Sequence, residues 1–216
     1  MSTPETTPPR TGRPTHAEAA QLGERLREAA LAVFLDRGFD RTTMDAVARA
    51  AGVTRRTLYG RYPDKDTLFE AVVGWALLRW TDPVPDVTID DPDEALLTLA
   101  RSMLAWALEP DLVRLNRLAM AEAARFPTIA QDTQMLTWRP RKRAVMRLLH
   151  RHVDAGRLVV DDIECAAEHF LSMVLVMPAR LATFGVTRPP EFEDEYLRRA
   201  VVLFLNGVRA PAAPRD

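Results

Sequence analysis

The residues in this chain best placed for chemistry are neither a nucleophile with its base nor an acid pair. They are a dense group of hydroxyl and cationic donors: Thr43, Thr54, Arg55, Arg56, Thr57, Tyr59, Arg61 and Lys65. Such donors bind oxygen anions and base edges, and arginine is the side chain best able to give guanine two parallel hydrogen bonds. Rival constellations are thin. Cys165 and His169, four apart, share a helical face with Glu168 nearby, which only begins a metal site, since structural zinc generally takes four ligands. Their segment reads better as a packing helix, and no metal is expected. His150 and His152, two apart, cannot share a helix face. The sequence contains no G-x-G-x-x-G, P-loop or G-x-S-x-G, so neither an enzyme nor a cofactor is expected.

Whole-chain composition hides the donor group. The 216 residues hold 29 basic and 30 acidic side chains, a formal net charge of −1 that gives no hint of a nucleic-acid partner. Residues 41–65, however, carry six basic and two acidic side chains, and residues 66–216 carry 18 basic and 22 acidic. A small basic head therefore sits on a larger acidic body. The excess of arginine over lysine, 27 to 2, reads as nucleotide composition rather than function. The single cysteine excludes an internal disulfide. Met1 to Arg13 lacks an apolar signal region, and the most apolar stretch, Phe170 to Met177, falls short of the roughly 18–20 residues that cross a bilayer. A cytoplasmic protein with no membrane association is expected.

The elements that position the donors are helices. Leu22, Leu26, Ala29, Ala30, Val33 and Phe34 recur at steps of three and four and predict a first helix from His16 to Arg37, closed by Gly38. Thr43 is a good N-cap for a short helix from Met44 to Ala51, and Gly52 ends it. Thr54 caps a third helix, Arg55 to Tyr62, and Asp64 a fourth that reaches about Trp80. Two short helices joined by a tight glycine turn, with Ala48 and Ala51 at the crossing, form a helix-turn-helix. Leu58 and Tyr62 turn inward, leaving Arg55 and Arg56 at the exposed N-terminal end that reads the major groove in this architecture.

The run from Phe34 to Phe69 closely resembles the N-terminal domain of TetR-type transcriptional regulators, through Gly38-Phe39, Thr42-Thr43, Ala51-Gly52-Val53, Thr57-Leu58-Tyr59 and Lys65-x-x-Leu68. The resemblance implies roles position by position. Thr43 would bond a phosphate, and Thr54, Arg55 and Arg56 would face the groove floor, with Thr57 beside them. Tyr59 would meet a phosphate or a thymine methyl, or serve only in packing. Lys65 would pin a phosphate. Arg61 stands where histidine is frequent and keeps a phosphate donor; Tyr62 stands where phenylalanine is frequent and keeps the aromatic plug. Arg41 and Arg49 read as solvated. The arm around Arg13 is either a minor-groove hook or a solvated tail.

Helices are also predicted at Pro92–Leu108, Asp111–Arg125, Thr128–Ala155, Asp162–Phe184 and Pro190–Val208, with Pro140 dividing the third and Pro178 kinking the fourth. The expectation is an all-α chain: a flexible arm over 1–15, a three-helix helix-turn-helix domain over 16–64, and a helical ligand-binding and dimerisation domain over 65–216. The last two helices carry more apolar surface than one monomer needs, and in TetR-like proteins they pair across a two-fold axis. Phe170, Val174, Leu181, Phe184, Leu197, Val201, Phe204 and Leu205 are the expected dimer residues. A homodimer suits a near-palindromic double-stranded operator. The resemblance places a small-molecule pocket among the middle helices, with Trp75, Met103, Trp106, Met120, Phe126, Met135, Trp138, Phe170 and Met173 as candidates; the bland alternative for each is ordinary core. The expected function is a repressor released by a largely apolar ligand. A helix-turn-helix regulator whose C-terminal domain binds a protein partner is the alternative, which a cavity lined by Trp106, Phe126 and Trp138 would oppose.

Overall fold

A computed structural model of the chain describes residues 16–80 and 83–208. Eleven α-helices are described: α1 (His16–Arg41), α2 (Met44–Ala50), α3 (Arg55–Tyr59), α4 (Lys65–Arg79), α5 (Pro92–Ala107), α6 (Pro110–Glu122), α7 (Pro127–Thr133), α8 (Arg139–Asp154), α9 (Ile163–Leu171), α10 (Met177–Thr183) and α11 (Pro190–Val208). No strand occurs among the described residues. Short polar side chains start the helices as their chemistry dictates. Thr43, Thr54, Asp64, Asp91 and Asp162 each accept the backbone N–H three residues on, at 2.7–3.2 Å.

The turn between α2 and α3 is built by Gly52, whose φ of +66° other residues resist. The Gly52 N–H donates to the Arg49 carbonyl and the Val53 N–H to the Ala48 carbonyl, which closes α2 as a Schellman motif. Helix α3 ends at Tyr59, earlier than the expected Tyr62, although the Tyr62 N–H still reaches the Leu58 carbonyl at 2.9 Å and keeps Tyr62 buried. Past Arg37, α1 continues to Arg41, but through a break at Gly38 (φ 75°, ψ 175°), where the glycine cap was expected.

Two five-residue π-helical turns interrupt the C-terminal half, Gln134–Trp138 before α8 and Ser172–Val176 before α10. Each lies just ahead of a proline, Pro140 or Pro178. Proline has no N–H for the carbonyl four residues back, so the widened turn absorbs the mismatch. Side chains bond to carbonyls in these turns: the Arg141 guanidinium donates to Thr137 at 2.9 Å, and the Tyr196 hydroxyl donates to Met173 at 2.7 Å.

The described residues form two hydrophobic cores. One joins α1–α4 to α6 and α7 through Leu26, Phe34, Phe39, Val47, Leu58, Phe69, Leu112, Leu115, Phe126 and Ile129. The other joins α5, α8, α9, α10 and α11. Helices α9 and α10 with the π turn form a continuous stretch, Ile163–Thr183, whose length and mean hydropathy of 1.2 would suffice to cross a membrane. This exceeds the short apolar run expected from sequence. Its Ala167, Phe170, Leu171, Val174 and Leu175 are buried in the second core.

Candidate nucleic-acid interface and ligand cavity

Helix α3 presents the donors. Thr54, Arg55, Arg56, Thr57 and Tyr59 are all exposed, while Leu58 between them is fully buried and anchors the helix. Thr54 and Thr57 share a hydroxyl hydrogen bond of 2.9 Å, which fixes the first turn of α3. The two arginines differ. Arg55 forms an ion pair with Asp45 across the helix-turn-helix, whereas the Arg56 guanidinium has no hydrogen bond or ion pair among the described residues. Thr43, exposed at the start of α2, lies on the same short structure.

Two expected phosphate donors are engaged elsewhere. The Lys65 ammonium donates to the Phe39 carbonyl at 2.9 Å and the Asp40 carbonyl at 3.3 Å, and lies 4.1 Å from the centre of the Phe39 ring. It therefore closes the end of α1. The Arg61 guanidinium donates to the Ala19 carbonyl at 3.2 Å and occupies the space beside Gly23, where a Cβ would come within 2.5 Å of it. These partners are distant in sequence, so local spacing could not disclose them. Arg13 lies outside the described residues.

A cavity of about 520 Å³ opens between α5, α6, α7, both π turns and α10. Three expected ligand residues line it: Trp106, Met120 and Trp138. They are joined by Leu112, Asn116, Ala119, Ile129, three threonines and Arg180, among others. Sequence reasoning missed these because small and β-branched residues carry no distinctive signal until a void is known. The Trp106 indole is held from outside the cavity, its N–H donating to the Trp80 carbonyl at 2.5 Å and the Arg141 guanidinium stacked 3.1 Å from its ring centre.

The other expected ligand residues do not line this cavity. Trp75 lies between Arg27 and Arg79, 5.4 and 5.2 Å from their guanidinium carbons. Phe126 is buried in the first core, 4.9 Å from Phe69 and 5.2 Å from Phe39. Phe170 is buried against Phe204 at 5.1 Å, and Met103 is buried in the same core. Met173 packs on that core, and Met135 is exposed. Trp75, Met103, Phe126, Phe170 and Met173 thus pack in or against one of the two cores.

Residues 26–72 match the family of bacterial regulatory proteins named for TetR, and residues 94–207 match the C-terminal domain of AefR-like transcriptional repressors. The chain belongs to the TetR family of transcriptional regulators. The curated relative BepR of Brucella suis, a transcriptional repressor, is 36% identical over 97 residues, 45% of this chain and 46% of its own length. The regulator SrpR of Pseudomonas putida is 41% identical over 61 residues, 28% of this chain and 29% of its own. The chain thus matches about half or less of these relatives' length. A TetR-family regulator structure from Mesorhizobium loti is 25% identical at a TM-score of 0.78, over 89% of this chain and 98% of that one. The structure of the flavonoid-responsive regulator FrrA is 29% identical at a TM-score of 0.71, over 90% and 100%.

Within this TetR-type architecture most of the expected dimer residues turn inward. Phe170, Val174, Leu197, Val201, Phe204 and Leu205 are buried in the monomer's own second core, and Leu181 is half-buried; Phe184 is exposed. Among the large apolar residues left on the surface of α10, α11 and the adjoining turn are Val176, Met177, Phe192, Val202 and Leu203, with Leu203 at 67% exposure. Cys165 and His169 share an exposed face with a closest sulfur–nitrogen distance of 3.9 Å, and no third candidate ligand joins them among the described residues.

Proposed function

We propose that this protein is a homodimeric, sequence-specific repressor that leaves a near-palindromic DNA operator when a small, largely apolar ligand enters the cavity. The observation that carries the reading is a shared wall. Leu112 and Ile129 line the cavity and also belong to the hydrophobic core of the DNA-reading head. Between cavity and head stand further ties. Arg125 donates to both oxygens of Asp66 at 2.9 and 3.0 Å, and the Thr128 hydroxyl donates to Glu70 at 2.5 Å. A ligand that moves α6 or α7 therefore moves α4 and the head, and it shifts DNA affinity by its differential affinity for the two arrangements. This coupled cavity favours a small ligand over a protein partner. Flavonoids, named for FrrA, are of suitable size for a first panel.

The test begins by selecting duplexes from a random pool with the full-length protein. A near-palindromic sequence bound by one dimer is expected, released by a member of the aromatic panel. Ala119→Trp, which fills the cavity, should keep DNA affinity and lose the response. Binding without sequence preference, or a response unaltered by Ala119→Trp, would overturn the reading.

A further inference from the structure

The three threonines in the cavity lining are biased towards accepting hydrogen bonds. Thr133, Thr137 and Thr183 all line the cavity, and each hydroxyl hydrogen is already used. Thr133 donates to the Ile129 carbonyl at 2.8 Å, Thr137 to the Thr133 carbonyl at 2.6 Å, and Thr183 to the Ala179 carbonyl at 2.9 Å. A threonine that donates to its own helix in this way has only oxygen lone pairs left to offer. The Trp106 indole N–H is likewise spent on the Trp80 carbonyl. Asn116 can serve in either sense, and Arg180, on the exposed side, donates. Among the described residues no aspartate or glutamate lines the cavity, so none of them would neutralise a cation there, which Arg180 would repel. The remaining walls are largely apolar, with Trp106 and Trp138 supplying aromatic surface; the Trp138 indole N–H, which has no acceptor among the described residues, is a further donor away from the threonines.

We infer that the ligand is a neutral aromatic that brings its own hydrogen-bond donors, phenolic hydroxyls above all, to threonine oxygens that cannot donate in return. This rests on the ligand-release reading and specifies its chemistry. An aromatic ether of the same shape would set lone pair against lone pair and leave both unsatisfied, which disfavours it more than the loss of a hydrogen bond alone.

The experiment uses a naphthalenediol and its dimethyl ether, titrated into the full-length protein by calorimetry and followed by tryptophan fluorescence. The diol should bind about ten-fold or more tightly than the ether. In the double variant Thr137→Val, Thr183→Val, which keeps side-chain shape and removes both oxygens, that preference should shrink several-fold. Thr137→Ser, which keeps the oxygen, should retain it. Equal or tighter binding of the ether, or a preference unchanged in the double variant, would overturn the donor inference while leaving the cavity reading intact. Failure of both compounds to bind the wild type would remove the cavity reading and the inference together.

Discussion

Neighbouring arginines on one short helix are not equivalent. Arg55 is held by Asp45, while Arg56 is exposed without a partner among the described residues, and on that ground we propose Arg56 as the side chain that meets a base edge. Arg56→Ala should weaken binding to the selected duplex by about 1–3 kcal/mol and relax preference at one position. Anisotropy titrations on selected and scrambled duplexes check this; equal losses on both would assign Arg56 to a phosphate instead. Lys65 poses a different question. Its bonds to the Phe39 and Asp40 carbonyls make it a cap for the end of α1. Lys65→Met should therefore lower the melting temperature by a few degrees, the effect of losing about 1 kcal/mol in a chain of this size. Unchanged melting, with a salt dependence of DNA binding shallower by about one ion, would instead support the phosphate role that the family resemblance implies. The threonine caps were legible in sequence because a cap needs only a residue three positions on. The partner of Lys65 was not, because it lies 25–26 residues away and meets the lysine only once α1 and α4 pack.

At the scale of elements, glycine and proline punctuation located the helices well, because both residues restrict the backbone locally. From sequence Pro140 predicts a division and Pro178 a kink; the structure resolves both disturbances as widened turns, and those turns shape the cavity. The prolines mark where each helix is disturbed, but a missing N–H is met equally by a kink or by a widened turn, so the form of the disturbance emerges only in the packed structure. The end of α8 carries a further hidden device. His152 is fully buried, and neither ring nitrogen has a hydrogen-bond partner among the described residues. Its carbonyl receives the Arg157 and Leu158 N–H groups in the closing turn. Burial, reinforced by Arg157 and Arg151 against the opposing pull of Asp90 and Asp91, pushes the imidazole below its ordinary value of about 6.5. The unfolded chain then takes up this proton before the folded one does. Stability supplied by the neutral ring is present above about pH 6.5 and is lost as pH falls from there towards the lowered folded value. Urea midpoints at pH 7.5 and 5.5 should therefore fall further for the wild type than for His152→Leu. Equal falls would mean that the ring is solvated and titrates normally.

For the whole molecule, the near-zero net charge is the average of a basic reading head and an acidic body, which keeps phosphate attraction at the head. The apolar surplus of the last helices has a similar double meaning. The Ile163–Thr183 run and α11 are apolar on two faces, and a count of apolar residues cannot tell which face seals the monomer. Packing decides it: Phe170, Val174, Leu197, Val201 and Phe204 turn towards α5 and α8, leaving Val176, Met177, Phe192, Val202 and Leu203 among those outside. If a second copy covers that outer face, substitutions on the two faces must separate association from stability. Leu203→Glu should yield a monomer by light scattering at micromolar concentration, with near-wild-type circular dichroism and melting, because the side chain is 67% exposed. Its affinity for a two-half-site duplex should fall steeply, since a monomer forfeits the second reading head. Phe204→Ala, on the buried face, should instead lower stability by about 3–5 kcal/mol and leave the folded fraction dimeric. A Leu203→Glu protein that remains a dimer would place the two-fold contact away from this face.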